Sequence, residues 1–487
     1  MIFPYAARSG DPSANYLFTS ELREAYQYIQ QLKINPARQI LSQYKQQKKN
    51  KGVVAYLENY ADMHYLLLSE DKDYYNKFAQ NADTRFNLLG TLPDSPYKLL
   101  FQGEIKLHTA FVKLKFGNEI SGCRDIIKAY SLLKQNKKKF PEFTPTLKSL
   151  GLLHVLIGCV PDQYTWVTKI LGLNGNIAQG LSELKEVQDK NPFFRHEARL
   201  INLMLHAYVL DAEPKTAEDF SQWAFQQPEN LLIHFLGAAV LKKEGNSDMA
   251  LRLVDHAPTG GEYLSVPVME YMKAEILLQQ GHYLKAKNQY IRFLNVYKGF
   301  NFIKDSRYKI FICYWLTDQE QSGKPYLRNV LKEGTTITEA DQFAERFANQ
   351  YLNGDIQAEA KPLYAARYYS DGGYQKKAGE VLVSYKESSY TEQVNKAEYN
   401  YRMGRIYHKS SFPDKAIVFY KRAITLSEEK SYYFGASSAL QLGYIYEQKS
   451  DIPQAKGYFQ KAISFKKHEY KNSIDNKAKA ALSKLNR

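Results

Sequence analysis

Cysteine is scarce. Three residues, Cys123, Cys159 and Cys313, are spread over 487 positions. They are odd in number and form no CxxC pair, so neither a zinc knuckle nor a disulfide framework is indicated. All three have apolar neighbours and are read as small buried hydrophobes. Long hydrophobic runs are missing too. The most apolar stretch, Leu150–Val160, has about half of the ~20 residues that a spanning helix needs, and Pro161-Asp162 ends it. No transmembrane segment is predicted; peripheral membrane contact stays open. The start, Met1-Ile2-Phe3-Pro4-Tyr5-Ala6-Ala7-Arg8, lacks the basic region and long apolar run of a secretory signal. A cytoplasmic location is the default expectation, and a cell-envelope location would need a signal lost upstream.

Catalytic and cofactor motifs are absent as well. His196-Glu197 is not the start of HExxH, because Leu200 stands where the second histidine belongs. No other histidine pair has i, i+4 spacing. There is no GxxxxGK[ST] and no GxSxG, and Gly172-x-x-Gly175 follows no strand. His154, inside the apolar stretch, reads as a core histidine with a hydrogen-bond partner. These features predict a non-enzyme with no cofactor and no metal.

What the chain does have is ordinary bulk and unusual tyrosine. Hydrophobic residues make up 44% and charged residues 24%, which allows a sizeable core and argues against global disorder. There are 39 tyrosines. A tyrosine buries a large ring and keeps a polar tip wet, which suits thin helical layers. The net charge is +15, of which +8 lies in residues 1–150, from 22 Lys or Arg against 14 Asp or Glu. Such a surface could meet nucleic acid, anionic lipid or an acidic protein. Scattered lysines that solvate helices are the preferred reading. Lys137-Lys138-Lys139 suits a helix C-terminus.

Apolar residues recur at i, i+3, i+4 and i+7 in window after window, as at Ile417, Tyr420 and Ile424, and no strand-type alternation is sustained. The prediction is helix throughout. Helices are expected at Tyr56–Leu68 and Glu104–Leu133. In the apolar stretch, one short buried helix is expected before Pro161 and a second from Thr165 to Leu173. Gly172, Gly175 and Gly180 would mark turns or close packing. Asn35-Pro36, Asn191-Pro192, Gly260-Gly261 and Gly372-Gly373 punctuate the helices.

Two segments repeat each other. "MGRIYHKSSFPDKAIVFYKRAITL" starts at Met403 and "LGYIYEQKSDIPQAKGYFQKAISF" at Leu442. Gly404, Tyr407, Ala416, Tyr420 and Ala423 match Gly443, Tyr446, Ala455, Phe459 and Ala462. A small residue lets one helix lie close to its partner, a tyrosine three residues on fills the space beside it, and a second small residue closes the pair. Fainter copies run through Ala366, Tyr369 and Ala378; Ala274, Leu277, Ala286 and Tyr290; and Ala238, Leu241, Ala250 and Ala257. A degenerate unit is expected from Tyr308 to Leu331.

This order of small and large positions resembles the tetratricopeptide repeat, which implies an all-α fold, an α-solenoid of helix–turn–helix repeats. The segment "GLLHVLIGCVPDQYTWVTKILGLNGNIAQGLSELKEV" from Gly151 resembles the central segment of the tetratricopeptide repeat protein 39 family, which includes a fungal inclusion-body clearance protein. That family carries an aromatic where Leu173 stands here. The expected organisation is a flexible N-terminus at 1–15, a divergent helical array at 16–229, repeats at 230–471 and a C-terminal capping helix at 472–487. In that last helix Ile474, Ala478, Ala481, Leu482 and Leu485 share one face.

The repeat family binds partners on a concave face lined by the first helix of each unit. Carried over, the resemblance implies a partner-binding set of Arg367, Tyr401, Arg405, His408, Tyr444 and Glu447; packing against the next repeat competes for the same residues. Tyr401 and Arg405 occupy two sites of the Lys/Asn clamp that holds chaperone tails, which disfavours that ligand. The expected function is a scaffold for a protein or peptide partner, with a basic adaptor for anionic membrane or nucleic acid as the alternative and nucleic acid the less favoured of its two partners.

Overall fold

The computed structural model describes residues 12–160, 172–210 and 214–485. Among these residues there are 24 α-helices and no strand. The fold class is all-α, a solenoid of helix–turn–helix units. Two compact units divide the chain. The N-terminal unit takes Met1–Leu241, Met249–Glu270 and Asn295–Phe300; the C-terminal unit takes Lys242–Asp248, Tyr271–Leu294 and Asn301–Arg487.

The N-terminal unit starts with α1 (Ser20–Gln30), α2 (Ile34–Gln46), α3 (Lys51–Ser69) and α4 (Lys72–Thr91). The helix expected at Tyr56–Leu68 is the body of α3. The one expected at Glu104–Leu133 is two helices, α5 (Pro96–Lys115) and α6 (Glu119–Lys139). Gly117 sits between them at φ 80°, a left-handed conformation that ends a helix at little cost only for glycine. At its other end, α5 begins where the Ser95 side chain accepts the Tyr97 N–H and Pro96 takes the first turn, where no N–H is missed.

Next come α7 (Thr146–Gly158), α8 (Ile177–Lys190), α9 (Arg195–Tyr208) and α10 (Pro214–Gln226). The apolar stretch is therefore core, not membrane: α7 buries Leu150, Leu153 and Val155, and among the described residues no helix is long and apolar enough to cross a bilayer. The second short helix, expected from Thr165, falls mostly outside the described residues. The glycines set the distance between α7 and α8. A Cβ on Gly180 would lie 2.5 Å from the carbonyl oxygen of Gly151, and a Cβ on Gly175 would strike the backbone at Gly158. Any side chain there would push the two helices apart.

After α11 (Leu231–Lys243) and α12 (Ser247–Asp255), the C-terminal unit takes most of α13 (Val268–Gln279) and α14 (Tyr283–Val296). It continues through α15 (Ile303–Trp315), α16 (Glu320–Val330), α17 (Glu339–Leu352), α18 (Lys361–Asp371), α19 (Gln375–Leu382), α20 (Gln393–Lys409), α21 (Pro413–Ser427), α22 (Tyr433–Gln448), α23 (Ile452–Ser464) and α24 (Lys471–Leu485). One left-handed residue marks each hairpin turn: Gly245, Gly281, Asp318, Gly373, Ser411 and Ser450. That series shows the repeat register in the backbone, and α17 is the extra helix within it.

Inside the pairs, the small residues act as their spacing predicts. Ala416, Ala423, Ala455 and Ala462 are fully buried. A Cβ on Gly404 would lie 2.6 Å from the Tyr420 ring, and one on Gly443 would strike Phe459. Tyr407 stacks on Phe419 at 5.5 Å, and Tyr446 stacks on Tyr458 at 5.4 Å. The last helix, α24, inserts Ile474, Ala478 and Ala481 into this core, with Leu482 and Leu485 packed at its edge.

The cysteines need a correction. Cys313 is buried, Cys159 is half-buried and Cys123 is exposed. Helix α6 buries the stripe Gly122, Asp125, Ala129 and Leu133, and Cys123 lies one residue, about 100°, off that stripe. His154 behaves as expected: its Nδ1 is 2.6 Å from Glu183.

Candidate interaction groove

In the C-terminal unit the first helices of successive pairs are joined by a polar ladder. Lys242, at the end of α11, pairs with Glu275 of α13. Glu275 also meets Lys309 of α15 at 2.5 Å, and Lys309 meets Asp305 at 2.7 Å. The Tyr271 hydroxyl donates to Asp305 at 2.6 Å. Tyr308 and Tyr368, on α15 and α18, join hydroxyls at 3.1 Å. Asp371 of α18 lies between two guanidiniums, 3.4 Å from Arg405 of α20 and 3.8 Å from Arg367 of its own helix. Arg402 donates to Glu398 at 2.7 Å and to the Tyr433 hydroxyl of α22 at 3.2 Å. The Ser437 hydroxyl reaches Tyr401 at 3.1 Å.

Part of this face opens as a cleft of about 230 Å³ between α13, α15, α17 and α18, with Tyr470 at its edge. Its wall mixes Arg367 and Lys309 with Glu275, Asp305, Glu339 and Asp371. Burial works against the Asp371 charge, but Arg405 and Arg367 overcome it and hold the carboxyl below its ordinary range. Burial also opposes the Glu275 charge, and Lys242 and Lys309 bring its pKa down to about 2. At the end of α20, Lys409 is pushed below the ordinary lysine value by burial and by Arg405. His408 is lowered by burial and by the charges of Lys409 and Arg405. In both, burial is the larger cause and the neighbouring cations add to it.

The sequence-derived residues fall into two places. Arg367 and Arg405 meet at Asp371, and His408 follows one turn along α20; Tyr401 touches Arg405 but is 5% exposed and packs in the core against Tyr420 and Phe434. Tyr444 and Glu447 lie farther along, on α22. Tyr444 packs edge-on against Phe459 at 5.3 Å, and Glu447 pairs with Lys484 of α24 at 3.1 Å. Sequence reasoning missed Asp371, Arg402, Glu398, Lys309 and Asp305. The i, i+4 pairs Asp305/Lys309, Arg367/Asp371 and Glu398/Arg402 were the available signal, since such pairs share one helix face. Among the described residues no three His, Cys, Asp or Glu side chains gather as a metal site.

The pairs α20–α21 and α22–α23 coincide with two matches to the tetratricopeptide repeat model, at residues 397–430 and 436–468. These two helix pairs are tetratricopeptide repeats. Repeats of this kind are protein-interaction modules that stack into extended binding faces. No curated protein matches the chain. Solved structures with a similar fold include a human IFIT1 dimer with PPP-AAAA, at 14% identity, a TM-score of 0.33, and coverage of 99% of this chain and 95% of that one. The tetratricopeptide repeat domain of P58(IPK) matches at 15% identity and a TM-score of 0.22, over 87% of this chain and 96% of that one. A Cut9–Hcn1 hetero-tetramer structure matches at 12% identity and a TM-score of 0.26, over 96% and 97%. At these values the likenesses say nothing about what this chain binds.

Proposed function

We propose that the protein is a non-catalytic scaffold whose C-terminal repeats hold a peptide or helical partner along the face lined by their first helices. The observation that carries this reading is the meeting of Arg367 and Arg405, each about a quarter exposed, at Asp371 on adjacent first helices. Arginine and tyrosine are the residue types most often found at binding hot spots, and a groove between stacked helices suits an extended or helical segment. The resemblance of the segment Gly151–Val187 to the tetratricopeptide repeat protein 39 family implies an all-helical fold and carries no function over to this chain. A photo-crosslinking side chain at position 408 or 444 tests the proposal, with position 418, which is 66% exposed on the second helix of a pair, as the control. A discrete protein partner is expected from 408 and 444 and not from 418. Equal labelling from all three positions would reject it.

The second reading, a basic adaptor for nucleic acid or anionic membrane, is favoured by the net charge of +15. It requires binding that weakens steeply with salt. Binding that is independent of salt, or absent, rejects it.

A further inference from the structure

A second cleft lies within the N-terminal unit, between α1, α9, α10 and the start of α11. It encloses about 270 Å³, and much of its wall is side-chain amide. Gln27, Gln30 and Gln31 come from α1 and its end, and Gln227 and Asn230 from the turn between α10 and α11. The two groups are far apart in sequence and meet only in the fold. No lysine or arginine lines the cleft. Its carboxylates are Glu229 and Glu197; Glu197 is 7% exposed and is balanced by Lys148 at 2.7 Å. His196 is lowered by burial and by Arg199 and Arg195, so its imidazole is neutral at pH 7 and offers one donor and one acceptor.

The amides are held in place with hydrogen-bonding groups to spare. Asn230 is 6% exposed. Its Oδ1 accepts the Ile233 N–H at 3.2 Å, and its Nδ2 donates to Gln227 Oε1 at 3.0 Å. That bond fixes the Gln227 amide and leaves its Nε2 without an acceptor among the described residues. Gln31 donates its Nε2 to Glu229 at 3.5 Å and keeps its Oε1. Gln27 makes no side-chain hydrogen bond to a described residue.

These groups select a ligand by elimination. An anion would find no cation in the wall. A cation would meet the field of Arg195 and Arg199, which already reaches His196. A nucleobase would find no indole to stack on, because Trp223 is 3% exposed beneath His196 and Arg199. A neutral polyol meets none of these obstacles. Each of its hydroxyls donates one hydrogen bond and accepts two, which a carboxamide can answer in either sense. Leu200, Leu232 and Ile233 offer apolar surface to the carbon face of a sugar ring. The volume is below the usual range for drug-sized ligands, which suits a single ring. We propose that this cleft binds a neutral monosaccharide, held through its hydroxyls by the amides of Gln27, Gln31 and Gln227. The site is independent of the groove in the C-terminal unit.

Saturation-transfer NMR on the full chain tests it. The probes are glucose, galactose, mannose and N-acetylglucosamine, with adenosine and putrescine beside them. Transfer to at least one sugar is expected. Its Kd should rise about three- to tenfold in Gln27→Ala and in Gln227→Ala, with the melting temperature of the wild type. Gln222→Ala, outside the cleft, should bind as the wild type does. No sugar binding at ~10 mM, or equal affinity in the wild type and both cleft variants, would overturn the site. Stronger transfer to adenosine or putrescine, weakened by the same two variants, would overturn the choice of a sugar and make the ligand a base or an amine.

Discussion

Lys148 and Arg367 each sit within a helical layer, one in each unit, and their surroundings differ in kind. Lys148 is 1% exposed. Its ammonium meets Glu104 at 3.1 Å and Glu197 at 2.7 Å and faces the Phe194 ring at 5.2 Å. Glu104 is also held by Ser149, and Glu197 accepts from Tyr26. Burial works against the Lys148 charge, but the two carboxylates raise its pKa above the ordinary lysine value. Arg367 has the opposite account: a cleft in front of it, one carboxylate at 3.8 Å, and no hydrogen bond to a described residue. A buried charge held between two carboxylates holds a fold together. A half-buried charge with unused donors is arranged for something that arrives later.

The largest expected effect is on the sealed cluster. Lys148→Met should cost about 3–5 kcal/mol of unfolding free energy, because it leaves Glu104 and Glu197 buried without their counter-charge. Chemical denaturation measures it, and a loss below about 1 kcal/mol would mean that the cluster is hydrated.

Deleting the residues after Ser473 removes Ile474, Ala478 and Ala481 from the C-terminal core. About 3 kcal/mol should be lost, judged from the apolar side chains involved, and the uncovered face should drive association visible by light scattering. A truncated chain that stays monomeric and equally stable contradicts a capping role for α24.

Gly443→Ala should cost about 2 kcal/mol, because its Cβ would strike the Phe459 ring in a packed helix pair. Gly404→Ala, against Tyr420, should behave alike. Thermal melts that separate the two glycines would show that the two repeats are not packed by one rule.

Acid sharpens the contrast by destabilising the N-terminal unit. His64 is lowered from 6.5 to about 3 by burial and by His108. In Glu104, burial is outweighed by Lys148 and His108, which bring it from 4.5 to about 2. For both groups the folded value lies below the unfolded one, so the unfolded chain takes up the proton first. Their contribution is complete above about pH 6.5 for His64 and above about 4.5 for Glu104. It falls by about 1.4 kcal/mol per pH unit for each group as the pH drops through those windows. Urea midpoints followed from pH 7 to pH 4 should therefore decline, first through the histidine; a flat profile contradicts the assignment.

The repeats were legible in the sequence because each one states its packing locally. Gly404 with Tyr420 and Gly443 with Phe459 are small and large residues at fixed spacing, and the same spacing places Ala416 and Ala455. The break at Gly117 was not legible, because Phe116 and Ile120 keep the apolar pattern running across it. Cys123 was misread because α6 buries the stripe that runs through Gly122, Asp125 and Ala129, and position 123, with Ile120 on the same side, falls off it. In the groove, Arg367 and Arg405 were found from their place on first helices. Their meeting at Asp371 was not, since it depends on how α18 lies against α20. Lys148 escaped for a related reason: a lysine in a helix usually extends its charge to water, and its partners come from Glu104 and Glu197, dozens of residues away on other helices.

The most direct test sets the two charges side by side: the unfolding free energies of Lys148→Met and Arg367→Gln, measured by denaturant titration of the full chain under the same conditions. Loss of about 3–5 kcal/mol from the first and less than about 1 kcal/mol from the second would assign one charge to the fold and free the other for a partner. Comparable losses from both would make Arg367 a structural residue and remove the basis for the groove as a binding face.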